Sequence, residues 1–154
     1  MMTSECCNDI VLEGQVQTAP EPSHENHGVR FFRFFLEVPR LSGHADTLPV
    51  LIPEAMVGQV CQGETVRVRG QLRSFNNRSG VGSRLVLTVY GQEVLPPCGE
   101  AANRISLTGS LCKPPIYRRT PLGRTICDLM LAVPRRYGRT DYLPVIAWGQ
   151  LAQQ

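Results

Sequence analysis

The chain has 154 residues, 42% of them hydrophobic and 19% charged, which supplies enough apolar material for a packed core and excludes wholesale disorder. The net charge of +3 says little by itself, but it is unevenly placed: residues 1–102 set eight arginines against eleven acids, and residues 103–154 set seven arginines and one lysine against two aspartates. A local positive field attracts a polyanion, and arginine is a planar cation that stacks on flat groups and grips phosphate through two donors at once.

In chain order, the opening MMTSECCNDI has neither a basic start nor an apolar run. No signal peptide or membrane span is expected there, and a cytoplasmic, reducing setting follows. IVLEGQV (Ile10 to Val16) alternates apolar and polar residues and breaks at Pro20 and Pro22, which predicts a first strand. VRFFRFFLEV (Val29 to Val38) predicts a long second strand after Gly28, and a turn at Gly43 leads to TLPVLIP, the third. PEAMVGQV (Pro53 to Val60) starts with proline and fits one or two helical turns. GETVRVRGQLRSF (Gly63 to Phe75) predicts a fourth strand with Val66, Val68 and Leu72 on one side. The turn-rich NNRSGVGS then leads to RLVLTVYGQEVL (Arg84 to Leu95), the fifth, and PPCGEAA reads as a linker.

Strand, strand, strand, short helix, strand, strand is the order of an OB-fold, a five-stranded Greek-key barrel. The fold class expected is therefore all-β with one short helix. A repeat reinforces it. LEVPRLSGHADTLPV, starting at Leu36, and LAVPRRYGRTDYLPV, starting at Leu131, agree at nine of fifteen positions with an offset of 95. The same offset carries Asn8, Ile10, Leu12 and Gly14 onto Asn103, Ile105, Leu107 and Gly109, and Pro20 and Gly28 onto Pro115 and Gly123. The expected organisation is a first OB-fold over residues 1–95, a linker at 96–102, and a partial second copy holding the first three strands over 103–154. Three strands cannot close such a barrel, so a longer chain or a strand-completing partner is expected. Pro144 removes a ladder donor from the last strand, which predicts an edge or a bulge.

The cysteines at 6, 7, 61, 98, 112 and 127 contain no C-x-x-C pair. Cys127 reads as a small core residue. Cys6 and Cys7 with His24 and His27 match no structural zinc spacing, so no metal or other cofactor is expected. His24, His27 and His44 fall in turn-like segments, and no nucleophile elbow or acid cluster accompanies them, so no catalytic residue is assigned and a binding protein, not an enzyme, is expected. GVG in NNRSGVGSR lacks the Lys-Ser/Thr of a phosphate loop. That segment, with Arg78 and Arg84, reads instead as a hairpin contacting nucleic acid.

The run from Leu107 to Ala152, with Gly109, Pro115, Arg119-Thr120, Gly123, Leu131-Ala132, Arg135-Arg136 and Trp148-Gly149 in that order, resembles the bacterial single-stranded DNA-binding (SSB) family. Residues 8–95 resemble it as a weaker copy. The resemblance implies base-stacking sites at Tyr142 and Trp148, with Tyr137 near a third. The family's acidic C-terminal tail is absent from these residues.

The chemistry fits without the resemblance. Unpaired bases stack on aromatic rings with little regard for sequence, and arginines neutralise the phosphates between them. Tyr117, Tyr137, Tyr142 and Trp148 are interleaved with Arg118, Arg119, Arg124, Arg135, Arg136 and Arg139, and these ten residues form the candidate nucleic-acid site. In the first copy Phe31, Arg33 and Phe35 share one strand face, and Phe32, Phe34 and Leu36 the other. One set is core, and the first is assigned to an inter-domain or dimer interface in preference to bases. Asp46 and Asp141, matched in both copies, are expected to hold turns. The function expected is sequence-tolerant binding of single-stranded DNA in replication, recombination or repair, by a homo-oligomer or with a strand-completing partner, and with replication proteins as further partners. The alternatives are a primosome- or replisome-type adaptor that binds nucleic acid weakly, and an RNA-binding OB module.

Overall fold

A computed structural model of the chain describes residues 8–40, 42–76, 85–99, 102–135 and 139–149. They divide into two compact units, Asn8–Ser106 and one beginning at Leu107.

The first unit contains β1 (Asn8–Val16), β2 (Glu21–Asn26), β3 (Val29–Pro39), β4 (Ala45–Pro53), a short 3-10 helix (Glu54–Gln59), β5 (Thr65–Asn76), β6 (Leu85–Leu95) and β7 (Asn103–Leu107). The sheet runs β2-β3-β4-β6-β5-β1-β7, and β1 pairs a second time with β3. That extra pairing, Gln15 with Glu37 and Val16 with Leu36, closes five strands into the OB barrel. Strand periodicity decides what fills it. On β3 the set Phe32, Phe34, Leu36 and Val38 turns inward, with Phe34, Leu36 and Val38 fully buried and packed with Leu12, Val50, Ile52, Val68 and Val89. Phe31, Arg33 and Phe35 are thereby left on the outer face. Phe34→Ala should cost this unit about 3–5 kcal/mol, read as a lower urea midpoint, because the emptied site is walled by strands that cannot collapse.

The second unit contains β8 (Ser110–Leu111), β9 (Ile116–Arg119), β10 (Thr125–Pro134) and β11 (Thr140–Trp148). β11 pairs with β10 along its whole length, and β8 and β9 share the other side of β10. Among the described residues this unit has no counterpart of β5 or β6. Its ladder repeats the first unit's: Phe31↔Pro53 through Pro39↔Ala45 becomes, 95 residues on, Ile126↔Trp148 through Pro134↔Thr140. The bonds Gln17 N to Phe35 O and Arg40 N to His44 O reappear as Cys112 N to Met130 O and Arg135 N to Arg139 O. Glycine is required at the same crossing in both. A Cβ on Gly14 would collide with the carbonyl oxygen of Glu37 and lie 2.9 Å from its carbon, and one on Gly109 would meet the carbonyl of Ala132 in the same way.

Two features differ from the sequence expectation, and at Pro144 the expected edge is found without a bulge. β2 is exposed throughout and carries Pro22, so it has no apolar alternation to reveal it. It is an edge extension of β3, joined by a two-residue turn in which His27 (φ 51°) and Gly28 (φ 78°) are both left-handed, the arrangement that suits a tight hairpin. Residues 103–106 belong to the first unit's sheet: the Ala102 carbonyl accepts from Glu13 N at 2.8 Å, and β7 lies beside β1. The units accordingly divide after Ser106 and not at 96–102. Pro144 sits in an unbroken register opposite Met130 with no bulge, because β11 ends its sheet and the missing donor faces away from β10.

Candidate nucleic-acid interface

The outer face of β10–β11 follows from strand alternation. Asp141, Leu143 and Ala147 are buried, and Thr140, Tyr142, Pro144, Ile146 and Trp148 point the other way. Tyr142 is 49% and Trp148 51% exposed. Six residues apart on one strand, the two rings are separated by roughly 20 Å, room for several nucleotides. Cross-strand pairing puts Ile126 opposite Trp148 and Arg118 opposite Ile126. Trp148, buried Ile126 and Arg118 therefore form one row across the outer face. At the end of β11, Gly123, Arg124, Thr125, Trp148 and Gly149 line an open groove of about 540 Å³. Gly123 and Gly149 are both left-handed (φ 83° and 62°), and the Thr120 hydroxyl caps the turn by accepting from Arg124 N at 3.1 Å. A flat ligand on Trp148 would have Arg124 beside it.

The other predicted arginines are differently placed. Arg135 donates through Nε and Nη2 to both carboxylate oxygens of Asp141, at 2.7 and 2.5 Å. Asp141 is fully buried, and the equivalent Arg40–Asp46 pair has the same two bonds. The fork of Arg135 is thus turned to the turn-forming aspartate, as expected of Asp46 and Asp141, and not toward the outer face. Arg118 donates from Nε to Asp128 at 2.6 Å, with both partners substantially exposed. Tyr117 pairs with Cys127 and Arg119 with Thr125, which puts both on the opposite face from Tyr142 and Trp148. Arg139 is exposed at the start of β11. Arg136, Tyr137, Arg78, Arg84, Cys6 and Cys7 lie outside the described residues. The structure therefore brings together Tyr142, Trp148, Arg118 and Arg124, and separates Tyr117, Arg119 and Arg135 from them.

The bond from Arg118 holds the Asp128 carboxyl below its ordinary value, against the opposing effect of burial, and Arg40 does the same for Asp46. Both folded-state values are depressed, so the stability they add is complete above the ordinary carboxylate pKa and is lost as pH falls through the lower values. The thermal midpoint should hold on acidification until about pH 4 and decline below it.

In the first unit the outer face that the sequence marked by Phe31, Arg33 and Phe35 also carries Phe75 and Tyr90, which the sequence reading passed over. Phe75 is 52% exposed. His24 stacks on Phe31 at 5.1 Å, and Phe31 meets Tyr90 at 5.7 Å. Arg73 lies 3.9 Å above the Tyr90 ring centroid and Arg33 5.4 Å above that of Phe35. Besides the alternation along β3, period-2 alternation along β5, which aligns Gln71, Arg73 and Phe75, was the signal available.

The first unit is a closed OB-type barrel, and the second repeats part of its ladder with half-exposed rings and arginines on the outer strand face. Residues 102–154 match the model of the single-strand binding protein family. Over those residues the chain is similar to that family, and its fold is an OB-fold of the kind seen in bacterial single-stranded DNA-binding proteins. Among solved structures it is similar to the wild-type single-stranded DNA binding protein from Thermus aquaticus, with TM-score 0.73 and 24% identity over 95% of this chain and 76% of that one. A deletion mutant of the same Thermus protein gives 0.71 and 23% over 95% and 77%. The N-terminal domain of PriB protein from Thermoanaerobacter tencongensis is 40% identical over 58% of this chain and 98% of that one, with TM-score 0.48. No curated protein sequence matches the chain. No helix among the described residues is long and apolar enough to cross a membrane.

Proposed function

We propose that this chain is a non-enzymatic binder of unpaired DNA, tolerant of base sequence, acting in replication, recombination or repair, with Trp148 and Tyr142 as stacking platforms and Arg118 and Arg124 as phosphate contacts. The observation that carries the reading is the pair of half-exposed rings on one strand face, with Arg124 in the groove beside Trp148. An exposed ring costs solvation that a stacked base recovers, and every base has a face to offer. Arg139, exposed at the start of β11, extends the basic field. Arg136 and Tyr137 belong to the same proposal. The chain works, on this reading, as a homo-oligomer and in company with replication proteins.

Titration of labelled oligo-dT, oligo-U and duplex DNA at two salt concentrations tests it. Oligo-dT should bind best, with log affinity falling against log salt by about 0.7 per phosphate contact. Equal affinity for duplex, or none for oligo-dT, would overturn the reading, the latter in favour of a replisome-type adaptor. A preference for oligo-U would make the chain an RNA-binding module. Asp128→Asn supplies an internal check. It releases Arg118 from its carboxylate and removes a negative charge from the outer face, so oligo-dT should bind more tightly and the salt slope should steepen by about 0.7.

A further inference from the structure

β1 and β5 carry two ion pairs on the outer side of the first unit's sheet. Asp9 with Arg69 is open to water, with side chains 30% and 53% exposed. Glu13 with Arg67, directly opposite each other in register, is not: the figures are 8% and 16%. An outward carboxylate on a barrel strand is ordinarily solvated, so something lies over this one.

That cover is the chain itself on its way from β6 to β7. Glu13 Oε1 accepts from Arg67 Nε at 3.1 Å and from the backbone N of Cys98 at 3.0 Å. Arg67 Nη2 donates to Cys98 Sγ at 2.7 Å, and Glu13 N donates to the carbonyl of Ala102 at 2.8 Å. One residue of β1 therefore fastens the connection twice, by its side chain at Cys98 and by its backbone at Ala102. Ala102 is buried where the connection enters β7.

The strand that follows has little else to hold it. By the 95-residue offset Ile105 corresponds to Ile10 and Leu107 to Leu12. Ile10 and Leu12 are sealed in the core, whereas Ile105 is 45% exposed and the other residues of β7 are exposed or half-buried. Apolar burial, the main stabilising term for a strand, is thus largely missing from β7. It lies at the end of its sheet, on β1. The same offset puts exposed Thr108 where the first copy has Glu13, so the second copy does not repeat the side-chain fastening.

We infer that Glu13 is a clasp and β7 a conditionally docked strand, able to leave β1 while the barrel stays folded. Closed, the clasp holds residues 103–107 on the first unit. Open, it returns them to the second copy, whose first strand they begin, and bares the backbone edge of β1. Burial makes the carboxylate contact strong while it lasts, and its loss leaves Arg67 without that counter-charge.

Hydrogen exchange of the full chain, read by mass on a peptide covering residues 96–107, tests the clasp. Glu13→Ala should make that peptide exchange about tenfold faster, while peptides from β3 and β4 keep their wild-type rates. Glu13→Gln keeps the shape and an acceptor for Cys98 N; it should give about a threefold increase, and it serves if the alanine variant does not fold. Trypsin cleavage after Arg104, exposed on β7, should accelerate in parallel, because a paired strand must detach before a protease can bind it. Asp9→Asn, which removes the open ion pair, should change none of these rates. Unchanged exchange over 96–107 in a folded Glu13 variant overturns the inference. So does equal acceleration in β3 and β4, which would make Glu13 a residue of global stability, or an equal effect from Asp9→Asn, which would make it a matter of surface charge. No arm of the test involves nucleic acid, so its outcome is independent of the single-strand-binding reading.

Discussion

Trp148→Ala should weaken oligo-dT binding by about 1–3 kcal/mol, which is roughly five- to 150-fold. Tyr142→Ala should act in the same direction, and the double variant should lose more than either alone. The expectation comes from burial and place together. A core tryptophan at this position would be sealed, yet Trp148 is half exposed, is the cross-strand partner of buried Ile126 and borders a groove that Arg124 shares. Trp148 is also the chain's single tryptophan, so intrinsic fluorescence reports this ring and no other. Saturating oligo-dT should quench it, and Tyr142→Ala should reduce affinity without altering the quench at saturation. Binding with no change in tryptophan emission would remove Trp148 from the site. Unchanged affinity in the double variant would remove the whole outer face of β11.

Much of the framework was legible because strand register is a matter of counting. A constant offset of 95 with no gap means that two strand pairs meeting at one turn must repeat the same partners. The observed ladders do so from Phe31↔Pro53 to Ile126↔Trp148. Gly14 and Gly109 were visible as matches, although the reason for them, a neighbouring carbonyl where a Cβ would sit, was not. Tyr142 and Trp148 were singled out by the family resemblance and by their interleaving with arginines, and alternation along β11 puts both on its exposed face.

What the sequence concealed has physical causes of three kinds. β2 is a strand by virtue of a neighbour's free edge, and its exposed residues carry no pattern of their own, while β7 alternates as expected of a strand but pairs with β1 of the first unit. The face of a strand is decided by its partner's register, so Tyr117 and Arg118, adjacent in the chain, end on opposite sides opposite Cys127 and Ile126. Finally, charge says nothing about commitment. Arg124 and Arg135 look alike in a count of basic residues, but one lines a groove and the other holds a buried aspartate. The extension of the Phe31–Arg33–Phe35 face to His24, Arg73, Phe75 and Tyr90 was hidden for a related reason: these residues come from β2, β5 and β6, distant in sequence and joined only by the closed sheet.

The commitment of Arg135 leads to the second large effect. Asp141→Ala should destabilise the second unit by about 3–5 kcal/mol, because it leaves a cation at a site shaped for a pair. Asp141 has no exposed surface and the Arg135 side chain has 20%, so water cannot replace the lost carboxylate. The equivalent change in the first unit, Asp46→Ala, should be much milder, since those side chains are 34% and 56% exposed and solvent takes over. Urea unfolding followed by tryptophan emission isolates the second unit, given where the single tryptophan lies, and should show the Asp141 transition shifted and the Asp46 one nearly in place. The same assay separates the two roles open to Arg135. As the partner of a buried aspartate, Arg135→Ala should move the unfolding midpoint strongly and leave the salt slope of oligo-dT binding in the folded range as it was. A slope shallower by about 0.7 with an unmoved midpoint would instead make Arg135 a phosphate ligand, and the turn would then have to be held by something other than this pair.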